Sequence, residues 1–329
     1  MTAHPSLLEM FTDLNIAEAI VGLLFSGTLA WSVFLWVSHL NKKEPRPEHP
    51  AGIPAWSIGW ANFGLFICTL VMSVLFTQIF VVKLASYLNE PVTTETTAEE
   101  PSAAEPGSIE EAVNADHSDS SELSESPEPP ALTPWFAVLS VLTLQIPMIL
   151  SFYGLRKFYP ADFGGPLNRN PVSIRQAISK TTPYFVRYLP VIWLISGAWV
   201  GLLTGLQKLD ILDELPPQEL VTLFGKGENS LAIVLLAVFA VALAPFVEEI
   251  IFRGAIYRFL KGHTNIFTAQ LISGAFFAMV HSNLMSFLPL LTIGVLLAQL
   301  YEKEGNILPS MIYHAYWNGF SLLLLFLLP

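Results

Sequence analysis

Residues 244–253 read A-P-F-V-E-E-I-I-F-R and end a long apolar run that begins near Leu231. Ionisable side chains at membrane depth are energetically costly and usually serve a function. On a helix, residues four apart share a face, and consecutive residues point roughly 100° apart. The spacing therefore predicts that Glu249 pairs with Arg253, whereas Glu248 points elsewhere and stays free for chemistry. A helix end with a solvated charge cluster at the membrane surface would also fit this stretch.

Two later stretches place polar side chains on apolar helices. The first, F-A-M-V-H, ends at His281 and has Phe277 one turn earlier. The second, H-A-Y-W-N, runs from His314 to Asn318, which lie one turn apart. A single histidine in a membrane helix is usually a packing group. Because three separate helices each carry a costly polar element, we expect these elements to converge on one site.

The three motifs, E-E-x-x-x-R, F-x-x-x-H and H-x-x-x-N, occur in the order typical of one membrane-protein family. Over roughly residues 190–325 the sequence resembles the CAAX-processing and bacteriocin-immunity family of intramembrane endopeptidases, which includes the type II CAAX prenyl endopeptidases. The resemblance implies that Glu248 and His281 activate a water for peptide hydrolysis, and that His314 and Asn318 line the oxyanion site. It implies supporting roles for Glu249, Arg253 and Phe277.

A zinc site is the competing interpretation of the same side chains. Glu248, His281 and His314 could form an open three-ligand zinc site. The H-E-x-x-H spacing of the zincins does not occur in the sequence. The family is often classed with the metalloproteases, but its motifs imply a glutamate-dependent hydrolase. We therefore expect no obligatory cofactor or metal, with zinc as the alternative.

The composition is that of a polytopic membrane protein. Of the 329 residues, 53% are hydrophobic and only 13% are charged, a balance that excludes an ordinary soluble domain. The net charge of −11 comes from one segment, because twelve of the 27 acidic residues lie between Glu90 and Glu128. This segment is rich in Glu, Ser, Thr and Pro, and it has too few apolar residues to order itself.

About eight stretches are apolar enough to span a bilayer, which takes about 20 residues. They lie near residues 16–39, 58–84, 133–155, 184–206, 230–250, 266–284, 286–302 and 307–328. The sequence thus predicts an all-α, polytopic membrane helical bundle. Its predicted parts are two N-terminal transmembrane helices (1–89), an acidic disordered linker (90–131) and a six-helix intramembrane protease domain (132–329) with its motifs in 244–318. A short amphipathic interfacial helix is also expected over Val172–Ile178.

Positive charges in the loops predict the orientation of the spans. Lysines and arginines cluster after the first, third, fifth and seventh spans, beginning with Lys42, Lys43 and Arg46. These four clusters share one side of the membrane if both termini are outside, and the acidic linker then lies on the other side. We expect an integral membrane protein of the bacterial plasma membrane with its N- and C-termini outside.

The resemblance also implies the partners: a peptide or protein substrate and the lipid bilayer, but no nucleic acid. Whether the substrate is lipidated stays open, because a prenylated substrate requires a prenylation pathway. Two other functions also fit intramembrane Glu, His and Arg. One is a non-catalytic bacteriocin-immunity or binding membrane protein of the same fold. The other is a transporter, although the sequence shows no inverted-repeat or discontinuous-helix signal.

Overall fold

The computed structural model describes residues 16–41, 52–89, 133–213, 215 and 229–327, and all regular structure in these ranges is helical. The helices, numbered in chain order, are α1 (Ile16–Asn41), α2 (Trp60–Asn89), α3 (Pro134–Phe158), α4 (Pro160–Phe163), α5 (Ile174–Lys208), α6 (Ser230–His263), α7 (Ile266–Met279), α8 (Leu284–Glu304) and α9 (Leu308–Leu327). Within the described ranges, six helices are long and apolar enough to cross a membrane: α1, α2, α3, α5, α6 and α8. With α7 and α9 there are eight apolar helical segments besides the four-residue α4, and the prediction of an all-α membrane bundle is confirmed.

Two predicted boundaries around α5 and α6 are wrong. The expected interfacial helix over Val172–Ile178 and the fourth span form one continuous 35-residue helix, α5. A capping box between Ser173 and Gln176 starts this helix, because each side chain binds the other residue's free backbone N–H. The fifth span also continues beyond Ile250, and α6 ends only at His263.

The sixth span is shorter than hydropathy predicts. It was expected to reach residue 284, but α7 ends at Met279 after 14 residues, and His281 lies in the turn that follows. The reason is local. Asn283 accepts a hydrogen bond from the Ser286 N–H at 2.8 Å and caps the start of α8. A capping residue has a non-helical backbone, so the chain leaves one helix before it begins the next.

The core is organised around α6, in which every residue from 249 to 260 is buried. A helix that is buried on all sides needs neighbours on all sides, and α3, α7, α8 and α9 supply them. The extended segment before α2 is attached to the end of α6 by backbone and side-chain hydrogen bonds. Trp56 N donates to Arg258 O at 3.0 Å, and Arg258 Nε donates to Pro54 O at 2.9 Å.

Two facing glycines bring α7 and α8 into close contact. A Cβ atom at Gly294 of α8 would lie only 2.7 Å from the Cα atom of Gly274 in α7. Small residues allow such close approach between membrane helices. Gly294 also lies close to α6, where its carbonyl accepts a hydrogen bond from the buried Arg253 side chain.

The described residues up to Ile79 and from Thr133 onward form one compact unit, and the end of α2 from Phe80 belongs to a second. Helix α1 belongs to the first unit, where Ser32 Oγ and Trp36 Nε1 both donate to the Arg187 carbonyl of α5, at 2.9 and 3.1 Å. The acidic linker lies outside the described residues. The predicted division into residues 1–89, 90–131 and 132–329 therefore stays a prediction.

Candidate active site

The two glutamates lie on a short α-helical stretch between two π-helical segments of α6. Ala244–Glu249 is α-helical, whereas Phe239–Leu243 and Ile250–Tyr257 are π-helical. Such wider turns are rare and often occur at functional sites. They change the direction in which successive side chains leave the helix, so the site is built on an irregular part of α6.

The first π-helical segment explains one contact of Asn318. The Ala244 N–H donates to the carbonyl of Phe239, five residues earlier. At the same spacing the Ala240 carbonyl would need the N–H of Pro245, which proline lacks. The Asn318 Nδ2 atom of α9 donates to Ala240 O instead, at 2.7 Å. Asn318 therefore donates one amide hydrogen to the backbone of α6 and has a second one to donate elsewhere. Its oxyanion role stays a prediction.

We expect Asn318→Ala to destabilise the protein by about 1–3 kcal/mol, because it leaves the Ala240 carbonyl without a donor. Pro245→Ala restores a backbone N–H at the position where that carbonyl needs one. The double variant should therefore lose less stability than the two single losses added together. Thermal unfolding in detergent of the three variants measures this coupling, and strict additivity would contradict it.

Glu249 and Arg253 form the ion pair that their spacing predicted. Arg253 Nη1 lies 2.9 Å from Glu249 Oε1, and both side chains are fully buried. The guanidinium also donates through Nη2 to Gly294 O at 3.1 Å, and its central carbon lies 4.6 Å from the centre of the Phe277 ring. A buried charge is tolerated when it is paired and hydrogen-bonded, and the ring adds a cation–π contact.

His314 lies between the two glutamates. Its Nδ1 atom is 3.0 Å from Glu249 Oε1, and its Nε2 atom is 3.8 Å from Glu248 Oε2. An ionised carboxylate only accepts hydrogen bonds, so the contact with Glu249 assigns a proton to Nδ1. The Nε2 atom then faces Glu248. The sequence predicted a catalytic role for His314 but not this position beside both carboxylates.

Glu248 and His281 line a common cavity of about 570 Å³. Its third polar residue is Gln145 of α3, and the remaining wall is apolar, formed by α2, α3, α6, α7 and Val280. Gln145 Nε2 donates to Glu248 Oε1 at 3.2 Å, so Glu248 has no arginine partner but is not without contacts. Sequence reasoning missed Gln145, although an amide in the apolar run L-Q-I-P was a visible signal.

His281 is held by the end of the preceding helix, α7. Its Nδ1 atom lies 2.6 Å from the Phe277 carbonyl, and a carbonyl accepts, so Nδ1 carries the proton. The Phe277 ring is fully buried and contacts the rings of both His281 and His314, with centroids 4.8 and 5.4 Å away. Phe277 thus packs against both histidines and Arg253, which fits the supporting role that the resemblance implied.

Six of the seven predicted residues therefore fall into two neighbouring groups, and the seventh, Asn318, donates to the Ala240 carbonyl. Glu248 and His281 line the cavity, whereas Glu249, Arg253, Phe277 and His314 form a packed polar cluster. Across the described parts of the chain, no three His, Cys, Asp or Glu side chains are placed to hold a metal ion. The alternative zinc site of Glu248, His281 and His314 and the metal-independent chemistry both stay predictions.

Comparisons with known proteins match the part of the chain that holds these groups. Residues 230–320 match the family model described as "Type II CAAX prenyl endopeptidase Rce1-like". A protein of Bacillus subtilis (strain 168) named "Putative membrane peptidase YdiL" is 30% identical over 146 residues, which are 41% of this chain and 57% of that protein. The chain thus covers little more than half of that relative, and no solved structure matches significantly. The matched region of this membrane protein contains all three motifs and is similar to an Rce1-like type II CAAX prenyl endopeptidase domain.

Proposed function

We propose that this protein is an intramembrane endopeptidase in which Glu248 and His281 activate a water molecule for attack on a peptide bond. The observation that carries the proposal is the shared cavity: a carboxylate from α6 and an imidazole from the turn after α7 line one space with mostly apolar walls. The Rce1-like domain and the membrane-peptidase relative support protease activity in general.

In the proposed reaction Glu248 is the general base. It takes a proton from the water as the water oxygen bonds to the peptide carbonyl carbon. A His281 protonated on both ring nitrogens holds the water by donating from Nε2 to one lone pair of the water oxygen. The resulting oxyanion needs hydrogen-bond donors. The second amide hydrogen of Asn318 and a protonated His314 Nε2 are the candidates. The C–N bond then breaks, and the leaving amine takes up the proton that Glu248 received.

The cavity wall also indicates the class of substrate. Because the wall is apolar apart from three side chains, the substrate segment beside the cleaved bond should be apolar, either through its side chains or through an attached lipid. A prenylated cysteine is the candidate that the family match suggests. We propose a membrane-bound peptide or protein as the substrate, and lipidation is a feature to be tested.

The proposed function is tested with purified protein in lipid vesicles. A farnesylated peptide with a CAAX-type ending and its unmodified counterpart serve as probes, with product detected by mass spectrometry. In parallel, new peptide termini are compared in cell membranes that contain the wild type or Glu248→Gln. We expect termini that depend on Glu248. If neither probe nor any membrane protein is cleaved in a Glu248-dependent manner, the protease proposal is wrong.

We propose that catalysis needs no obligatory metal. A strong chelator is then expected to leave most of the cleavage activity, because a carboxylate and an imidazole can activate water without a Lewis acid. Activity is measured before and after chelation, together with the metal content of the purified protein. A stoichiometric zinc ion whose removal inactivates the protein would contradict this prediction and restore the zinc interpretation.

We also propose that both termini face outward from a bacterial plasma membrane. The loops that carry Lys and Arg then face the cytoplasm, and the acidic linker faces outward. Ser179, exposed near the start of α5, and Ser102 in the linker are changed singly to cysteine. The background is Cys68→Ser, because Cys68 is exposed. An impermeant thiol reagent applied outside intact cells should label position 102 alone; labelling both positions would contradict the topology.

A further inference from the structure

We infer that Gln145 is a further catalytic residue, whose carboxamide holds the attacking water together with the Glu248 carboxylate. The inference rests on the proposed function and extends the site to a second region of the chain. Gln145 belongs to α3, outside residues 230–320 that match the endopeptidase family. The side chain is almost completely buried, with 3% of its surface exposed, yet it lines the cavity.

The contact between Gln145 and Glu248 fixes the orientation of the amide. Gln145 Nε2 lies 3.2 Å from Glu248 Oε1. Because a carboxylate accepts hydrogen bonds and an amide oxygen cannot donate one, the NH2 group faces Glu248. Oε1 of Glu248 thereby accepts one hydrogen bond, whereas Oε2 accepts none from the described residues. The amide thus favours Oε2 as the oxygen that acts as the base.

Two acceptors at this contact have no protein donor. Gln145 Oε1 and Glu248 Oε2 are both buried and have no hydrogen-bond partner in the part of the chain that the structure describes. Buried polar atoms are nearly always satisfied by protein or by ordered water. His314 Nε2 lies 3.8 Å from Glu248 Oε2, beyond ordinary hydrogen-bond length.

One water molecule satisfies both acceptors. It has two O–H donors, one for Gln145 Oε1 and one for Glu248 Oε2, and these bonds leave its lone pairs directed away from them. The cavity of about 570 Å³ has room for a water molecule, because one molecule takes up about 30 Å³ in liquid water. In the reaction a lone pair forms the C–O bond, and the O–H bond of the water that points to Glu248 Oε2 breaks. The proton passes to that oxygen, from which the leaving amine later takes it. Gln145 keeps the other O–H bond and holds the nucleophile in place.

The test compares Gln145→Met with a matched control in the same cleavage assay. Methionine keeps the length and volume of glutamine but has no amide, so the water loses one of its two anchors. We expect kcat to fall about 10²-fold, the size typical of a misplaced reacting group, with KM and thermal unfolding close to wild type. Gln299→Met is the control, because Gln299 is another glutamine on a membrane helix. Its Oε1 atom accepts a hydrogen bond from the Tyr184 hydroxyl at 3.3 Å, and Gln299 does not line the cavity. The control variant should leave kcat unchanged.

A second variant and a second measurement keep the test decisive. Gln145→Asn preserves the amide but withdraws it by one carbon–carbon bond, about 1.5 Å, and should lower kcat in the same way if the methionine variant does not fold. A wild-type structure at water-resolving resolution should show a water within hydrogen-bond distance of both Gln145 Oε1 and Glu248 Oε2.

The outcomes separate this inference from the proposed function. If the wild type cleaves and Glu248→Gln does not, the proposed function stands. A folded Gln145 variant with kcat within twofold of wild type, or a different occupant at the two oxygens, then overturns the role of Gln145 alone. A wild type that cleaves nothing overturns the proposed function itself, whatever the structure shows at Gln145.

Discussion

Glu248→Gln is expected to lower peptide cleavage by about 10²–10⁴-fold, the usual contribution of a general base, and to leave the protein folded. Glutamine has almost the same shape as glutamate, and its amide oxygen can still accept the hydrogen bond from Gln145. What it loses is the ability to take a proton from water. Cleavage rate and thermal unfolding in detergent are measured on the same preparation.

Glu304→Gln is the matched control for this variant. Glu304 pairs with Lys180 at 2.7 Å; the Lys180 side chain is 48% exposed and the Glu304 side chain 11%. Such surface pairs contribute little to stability, so both activity and unfolding should match the wild type. If Glu248→Gln cleaves at the wild-type rate, Glu248 is not the base, and a non-catalytic immunity or binding function of the same fold becomes the better hypothesis.

Glu249→Gln is expected to lower the free energy of unfolding by roughly 3–5 kcal/mol, the usual cost of breaking a buried ion pair from one side. The change leaves the Arg253 guanidinium without its carboxylate in a fully buried position. It also replaces the carboxylate that holds the Nδ1 atom of His314. Activity should therefore fall together with thermal stability, in contrast to Glu248→Gln.

Arg253→Met added to Glu249→Gln should restore part of the lost stability, because it removes the unpaired charge. Recovery should be incomplete, since Arg253 also donates to the Gly294 carbonyl and lies over the Phe277 ring. Thermal unfolding and cleavage are compared for Glu249→Gln and the double variant. If Glu249→Gln is stable but inactive while Glu248→Gln is destabilised, the roles assigned to the two glutamates are reversed.

The features that the sequence predicts correctly depend on neighbours along one helix. The pair between Glu249 and Arg253 follows from helical geometry, because residues four apart meet wherever that helix lies. The membrane helices follow from the length of their apolar runs. To predict that Glu248 and His281 lie at one cavity, a further hypothesis was needed, namely that costly polar groups in a membrane converge on one site.

The features that the sequence does not predict depend on contacts between distant segments or on competition between local signals. Gln145 is 103 residues from Glu248, and no spacing rule connects them. The position of His314 beside both carboxylates likewise depends on how α9 packs against α6. Helix α7 ends early because the Asn283 cap overrides an apolar run. A π-helical segment has the same hydropathy as an α-helix of the same sequence, so composition does not predict the two π-helical segments of α6.

A helix as short as α7 would create a hydrophobic mismatch with the surrounding lipid if it crossed the bilayer. Its 14 residues rise about 21 Å at 1.5 Å per residue, whereas the hydrocarbon core of a bilayer is about 30 Å thick. Lipids meet such a shortfall by local thinning. The polar turn with His281 and Ser282 would then lie near the thinned headgroup region. Hydrolysis consumes one water per bond, and the thinned bilayer would shorten the path by which that water reaches the cavity.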